Sequence, residues 1–176
     1  MKADPMNDRT SFRLITSEDV DVLSSFFDTL SESTRKIYGF PFTRQFAENW
    51  VQEGTNDPNM RRYLVFDNPM EHGMEPVMLG TVWMWQWTMQ VVWFGIIITD
   101  AYQNKGYGST LINIAIEDAK RSRKGGILLT THKMNFRAQR LYQKHGFEII
   151  GEDSRGEYLM LLNFSHQNTG NEEKTE

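Results

Sequence analysis

Between Gln103 and Gly108 the chain reads Q-N-K-G-Y-G, directly after the apolar run V-V-W-F-G-I-I-I. Gly106 and Gly108 let the backbone approach a ligand with no Cβ in the way. The pattern predicts a helix starting near Ser109, whose free N–H groups and positive dipole end would aim at the same spot. Together they make an anion site suited to a pyrophosphate. Two familiar phosphate-binding patterns fail on spacing. A dinucleotide turn, G-x-G-x-x-G, needs a third glycine where the chain has Leu111, and an acid at the end of the next strand, where Ile127 to Thr131 has none. A nucleoside-triphosphate loop needs G-x-x-x-x-G-K-[ST], a string the chain lacks. A second stretch, N-F-R-A-Q-R-L-Y-Q-K-H-G-F from Asn135 to Phe147, carries the phenol of Tyr142 at helical spacing with Ala138 and Leu141.

These residues need elements to hold them. Phe12 to Ile15 reads as a strand, and Thr16 to Asp19 as a helix start with Thr16 as N-cap. Val20, Leu23, Phe27 and Leu30 follow at helical spacing. The stretch from Asp28 to Phe42 reads as a connector broken by Gly39 and Pro41. Thr43 caps a second helix bearing Phe46, Ala47, Trp50 and Val51, ended by Gly54. Strands follow at Arg62 to Phe66, Val77 to Trp87 and Val91 to Ile98, the last apolar enough for burial on both faces. A loop, D-N-P-M-E-H-G-M-E-P, separates the first two of these. Then come a helix from Ser109 to Lys124, a strand from Ile127 to Thr131 and a helix from Phe136 to His145, capped by Asn135 and closed by Gly146. Strands at Phe147 to Ile150 and Tyr158 to Phe164 finish the order. Strands in a run, then strand–helix alternation, predict a mixed α/β sheet of about seven strands with about four helices on its faces.

Composition bounds the function. The chain has 176 residues, enough for one domain with a real core. Residues 12–164 read as that domain, with 1–11 as an N-terminal extension and 165–176 as a polar tail. A net charge of −4 argues against general nucleic-acid binding. No cysteine is present, which excludes a disulfide scaffold, a thiolate zinc site and a cysteine nucleophile. No apolar stretch approaches a membrane span and none resembles a leader, so the expectation is a cytoplasmic protein with no membrane partner and no metal. The run K-R-S-R-K, Lys120 to Lys124, complements the C-terminal end of its helix.

Gln103, Gly106 and Gly108 fit the pattern Q/R-x-x-G-x-G/A. Asn135, Ala138, Leu141, Tyr142, Gly146 and Phe147 fit N-x-x-A-x-x-L-Y-x-x-x-G-F. With both motifs in this order, the chain resembles the GNAT superfamily of N-acetyltransferases over most of its length. The wording Y-Q-N-K-G-Y-G-S looks most like the branch with polyamine and ribosomal-protein acetyltransferases. One departure is Asp100, where many members carry proline; it bears on the turn rather than the chemistry. The resemblance implies that the anion is the pyrophosphate of acetyl-coenzyme A, held by Gln103, Asn104, Lys105, Gly106, Tyr107, Gly108 and Ser109. It implies a splayed sheet whose gap takes the pantetheine arm, which pairs with backbone groups of Ile96, Ile97 and Ile98. It also implies coenzyme contacts for Asn135 and Tyr142, with the Tyr142 hydroxyl near the sulfur as general acid. A homodimer is compatible with the family.

Acetyl transfer to an amine needs a base, a stabilised carbonyl oxygen and a proton for the leaving thiolate. A backbone N–H near Ile98 is the expected oxyanion donor. The base is open: the strand Val91 to Ile98 has no carboxylate, and the position five before Asn135, an acid in some relatives, is Thr130. His132, Asp100, Glu32 or a water relay remain as alternatives. The acceptor, a small-molecule or peptide amine, is expected at the connector Asp28 to Phe42 and the strand near Trp83, Trp85 and Trp87, which share one face by period two and form either a cleft wall or a core stripe. Tyr38, Phe40 and Phe42 with Glu32 would form an aromatic, acidic mouth. A non-catalytic acyl-coenzyme A-binding or sensing module on the same fold is the alternative reading.

Overall fold

The run Val91–Ile98 alternates between two cores and organises the rest. In the computed structural model, which describes residues 9–68 and 75–165, it is the central strand of a seven-stranded sheet. The order along the chain is β1 (Thr10–Leu14), α1 (Val20–Asp28), α2 (Glu32–Tyr38), α3 (Arg44–Asn56), β2 (Arg61–Asp67), β3 (Val77–Trp85) and β4 (Val91–Ile98). A short 3-10 turn, Asp100–Tyr102, leads to α4 (Tyr107–Arg121), β5 (Gly126–Thr131), α5 (Phe136–Lys144), β6 (Glu148–Glu152) and β7 (Tyr158–Asn163). The extension up to residue 8, most of the loop after Phe66 and the tail beyond residue 165 lie outside the described residues. The strands lie in the order β1-β2-β3-β4-β5-β7-β6, and β4 with β5 is the parallel pair. Val92, Phe94 and Ile96 enter one core with Leu111, Ile112 and Ala115 of α4. Ile97 enters the other, with Leu23 and Phe27 of α1 and Ala47 and Trp50 of α3.

Among the described residues five α-helices form, against about four expected, because α2 arises in the stretch read as a connector. Its seven residues are too few to be stable alone. Ser31 Oγ caps it by accepting from the Thr34 N–H at 3.2 Å, and Gly39 ends it at φ +66°. Its start is tied to the far end of β4. The Asp100 carboxylate accepts from Ser31 N–H at 2.9 Å, Ser31 Oγ at 2.8 Å and Thr34 Oγ1 at 2.8 Å.

Other boundaries move for local reasons. Helix α1 begins at Val20, one turn later than Thr16 predicts, because the cap geometry is reversed. The Thr16 N–H and hydroxyl both donate to Asp19 Oδ2, at 2.7 and 2.9 Å, and Arg13 holds both carboxylate oxygens. Lys124 does more than complement its helix: its ammonium donates to the Trp87 and Met89 carbonyls, pinning the β3–β4 turn. Gly54 does not end α3, which runs on to Asn56. A Cβ there would lie 2.5 Å from Ile15 Cγ2, so the glycine serves close packing. Gly54→Ala gains about 1 kcal/mol of helix propensity but forces a buried β-branched side chain to shift, which costs about 1–3 kcal/mol. A net loss of stability is expected in urea unfolding, and a more stable mutant would refute the packing argument.

The tryptophan stripe is also shorter than its spacing suggests. Strand β3 stops at Trp85, and Gln86 turns into the left-handed region at φ +55°. Trp87 therefore crosses to the α4 core, beneath the cations of Arg61 and Lys124. Trp83 stays on the α1–α3 side and covers Gly95, its partner across the β3–β4 ladder. A Cβ on Gly95 would meet the Trp83 ring at 2.2 Å.

Candidate active site

Strands β4 and β5 are paired only at Val91↔Gly126, Val92↔Ile127 and Trp93↔Leu128. Beyond Trp93 they part, and a cleft of about 890 Å³ opens between them. Thr99 N–H donates to Leu79 O at 3.0 Å, so Ile97 and Thr99 direct their backbone groups at β3. In an antiparallel ladder the intervening residues face the other way. The backbone groups of Ile96 and Ile98 thus face the cleft, and both residues line it. Two of the four have partners. Tyr38 donates its hydroxyl to Ile96 O at 2.7 Å, and Gln103 Nε2 donates to Ile98 O at 3.0 Å. The N–H groups of Ile96 and Ile98 are left aimed into the cleft. Ile97 is a correction: its backbone serves β3 and its side chain is buried among α1 and α3 residues.

At one end of the cleft lies the glycine turn. Gly106 sits at φ +88°, which a side chain rarely adopts, and it forms the N-cap of α4 with no side-chain cap. The helix starts at Tyr107, two residues earlier than expected, so its first N–H groups are offered to whatever binds there. Gln103, Asn104, Gly106, Gly108 and Ser109 line the cleft. Tyr107 and Lys105 do not. Tyr107 is buried edge-on to Tyr102, with ring centres 5.4 Å apart, and Lys105 lies over the Tyr102 ring at 5.6 Å. A Cβ on Gly108 would come within 2.7 Å of Leu141 Cδ2, so this glycine brings α4 against α5. Sequence reading passed over Arg137. It donates to Gln103 Oε1 at 2.8 Å and Asn104 Oδ1 at 3.3 Å, which stations its cation beside the α4 N-terminus. The signal was a basic residue in the first turn after Asn135.

Helix α5 closes the cleft. Asn135 Oδ1 accepts from the Ala138 N–H at 3.2 Å, the cap its position predicts, and Asn135 lines the cleft. Gly146 follows the helix at φ +87°, as expected. Tyr142 is buried against Phe94 and Phe147, with ring centres at 6.3 and 5.8 Å, and it too lines the cleft. Burial pushes its hydroxyl up to about 12, so it stays protonated at neutral pH.

The opposite half is aromatic. Tyr38, Phe40, Trp83, Trp85 and Trp93 line it, and Trp85 and Trp93 stack at 5.6 Å with ring planes 16° apart. Phe42 instead is buried in the α1–α3 core. Glu32 is exposed, pairs with Lys36 at 2.6 Å and forms no part of the cleft wall. Asp100 is likewise off the wall. Burial pushes its carboxyl up, but the hydrogen bonds from Ser31 and Thr34 outweigh that and hold it below the usual carboxylate range. His132 does line the cleft, where its Nδ1 accepts from the Met134 N–H at 3.2 Å.

The sequence profile of the acetyltransferase (GNAT) family matches residues 24–147. The chain belongs to the GNAT acetyltransferases. Solved GNAT structures share its fold. A spermidine N-acetyltransferase from Vibrio cholerae, in complex with CoA and spermine, is 20% identical with a TM-score of 0.72, covering 90% of this chain and 98% of its own. The aminoglycoside acetyltransferase AAC(6')-Ib, in complex with coenzyme A, is 20% identical with a TM-score of 0.68, over 89% and 95% of the two chains. The GNAT domain of S. lividans PAT is 15% identical with a TM-score of 0.71, over 88% and 90%. No curated protein matches by sequence. The GNAT protein is therefore an N-acetyltransferase, from a family that takes acetyl groups from acetyl-coenzyme A and acts on amine acceptors. Among the described residues no cluster of three or more metal-ligating side chains occurs, and no helix is long and apolar enough to cross a membrane.

Proposed function

We propose that this GNAT protein moves an acetyl group from acetyl-coenzyme A to a primary amine, by direct attack while both substrates are bound. The observation that carries this reading is the divergence of β4 from β5, which leaves the Ile96 and Ile98 amides facing a cleft that ends at the uncapped α4 N-terminus. The coenzyme supplies an acyl thioester. The chain's own groups do the rest. Main-chain N–H groups of the Gly106 turn, with Gln103, Asn104, Gly108 and Ser109 around them, hold the pyrophosphate. The amides of Ile96 and Ile98 complete a strand edge with the pantetheine arm and donate to the carbonyl oxygen as negative charge develops there. Asn135 borders the arm. Tyr142, kept protonated by burial, gives its proton to the departing thiolate. The aromatic half of the cleft receives the amine, which belongs to a small molecule or a peptide.

Thiol release with acetyl-coenzyme A and a panel of primary amines tests this reading, and absence of turnover with every amine would overturn it. Arg137 gives a separate check on the coenzyme end. Arg137→Ala should weaken acetyl-coenzyme A binding about tenfold in calorimetry, about 1.4 kcal/mol, with turnover at saturation unchanged. Because Arg137 is exposed, the effect should shrink in high salt. An unchanged dissociation constant would remove Arg137 from the phosphate grip.

A further inference from the structure

The proposed reaction lacks a group to take the proton of the incoming ammonium. An alkylamine near the lysine value of about 10.4 leaves only about one molecule in a thousand or fewer neutral at pH 7. Among the described residues the cleft wall holds two carboxylates, Asp153 and Glu157, both on the hairpin between β6 and β7. They differ in what their oxygens do. Asp153 Oδ1 accepts from the N–H groups of Arg155 and Glu157, each at 2.9 Å, and Oδ2 from Arg155 Nε at 2.9 Å. That carboxylate builds the turn, with both of its oxygens engaged. Glu157 Oε2 accepts from Arg155 Nη2 at 2.9 Å, while among the described residues Oε1 has no partner.

The hairpin also fixes where Glu157 lies. Its neighbour Tyr158 pairs with Thr131, at the end of β5 that has parted from β4. Arg155 Nη2 also reaches Thr130 Oγ1, at 3.2 Å, on that strand end. Here a threonine anchors the arginine that in turn holds a carboxylate supplied by the hairpin. Glu157 is about one-quarter exposed and shares its cleft with Tyr142, Ile96 and Ile98.

The geometry points to Glu157 as the proton acceptor of this enzyme, with Oε1 receiving the proton of the bound ammonium directly or through one water. This rests on the acetyl-transfer reading above. The protons balance as follows. Glu157 takes one proton and becomes a neutral acid. The freed nitrogen lone pair forms the C–N bond to the acyl carbon, and the C–S bond breaks. Tyr142 gives its proton to the thiolate and regains one from the nitrogen. Glu157 then releases its proton to solvent, so one acetamide, one thiol and one proton result.

The charged and titratable groups that line the same cleft are Arg155 and Asp153 on the hairpin, His132 after β5, Arg137, Tyr142 and Lys144 on α5, Tyr38 on α2 and Tyr102 before α4, with Lys133 over the ring of Tyr158, the residue next to Glu157. Lys133 is engaged with Glu152 at 2.6 Å. His132 is the main rival as base, and its substitution is the control.

The test compares wild type, Glu157→Gln, Glu157→Asp and His132→Gln, with acetyl-coenzyme A and, in turn, spermidine, 2-phenylethylamine and glycylglycine. Gln can still accept from Arg155, so the hairpin should survive. Glu157→Gln should lower kcat/KM by roughly 10²–10⁴-fold at neutral pH with unchanged acetyl-coenzyme A affinity. The deficit should narrow as pH rises, because the free amine then needs no base. Glu157→Asp should recover part of the rate, and His132→Gln should keep most of it. A Glu157→Gln enzyme within about threefold of wild type, or a deficit that does not change with pH, would overturn the assignment and leave acetyl transfer standing. A wild-type enzyme that binds acetyl-coenzyme A yet releases no thiol with any amine would overturn both.

Discussion

Tyr142→Phe should cut turnover by about 10²-fold, the lower end of the usual range for a general acid. The ring keeps its contacts with Phe94 and Phe147, so the fold and coenzyme affinity should hold. The lower end applies because a thiol near pKa 8.5 makes a tolerable leaving group unaided. Burial is the whole cause of the raised hydroxyl, with no neighbouring charge or hydrogen bond involved. Among the described residues the hydroxyl has no hydrogen-bond partner to lose, and unfolding in urea should change by well under about 1 kcal/mol. Single-turnover thiol release is the decisive measurement. A mutant with wild-type turnover at saturating substrate would make Tyr142 a packing residue and leave the leaving group without its acid.

The two cleft-lining tryptophans of β3 should part company under substitution. Trp83 is buried, packs on Trp50 at 5.2 Å and Phe40 at 6.2 Å between ring centres, and covers Gly95. Trp83→Ala should cost about 3–5 kcal/mol, which is a large share of the 5–15 kcal/mol typical of a folded domain. Trp85 is only half-buried and stacks on Trp93 at the cleft. Trp85→Ala should cost about 1 kcal/mol, the scale of one aromatic pair, and should act mainly by raising KM for the amine. A severe stability loss in Trp85→Ala with unaltered KM would move that residue into the core and out of the acceptor site.

What was legible in the sequence and what was not follow from the range of the interactions. Strands β4, β5 and β7 and helices α3 to α5 carry their own periodicity, with caps at Thr43 and Asn135 and a stop at Gly146, so they could be read locally. Helix α2 could not, because what holds it is Asp100, far along the chain. Trp87 was misassigned because the left-handed turn at Gln86 breaks the period-two count. In the site, motif spacing named Gln103, Gly106, Gly108, Asn135 and Tyr142, and all of them line one cleft. It also named Ile97, whose backbone groups serve β3 because a strand turns alternate residues to either side, and Lys105 and Tyr107, whose side chains pack at Tyr102 rather than on the cleft wall. Arg137 and Glu157 escaped notice because their place depends on how separate elements pack, whereas Tyr38 and Phe40 were named for the acceptor mouth and do line the cleft.

Thr34 sits between two carboxylate and amide partners: its hydroxyl donates to Asp100 at 2.8 Å and lies 3.4 Å from Gln103 Nε2. Gln103 belongs to the glycine turn before α4, whereas Thr34 shares α2 with Tyr38, a wall of the aromatic half. The two halves of the cleft are thus wired to one short helix that has little stability of its own. Ordering α2 from either side lowers the entropic cost of ordering it from the other. Linkage makes the effect mutual: whatever factor the coenzyme contributes to amine affinity through α2, the amine must return to the coenzyme.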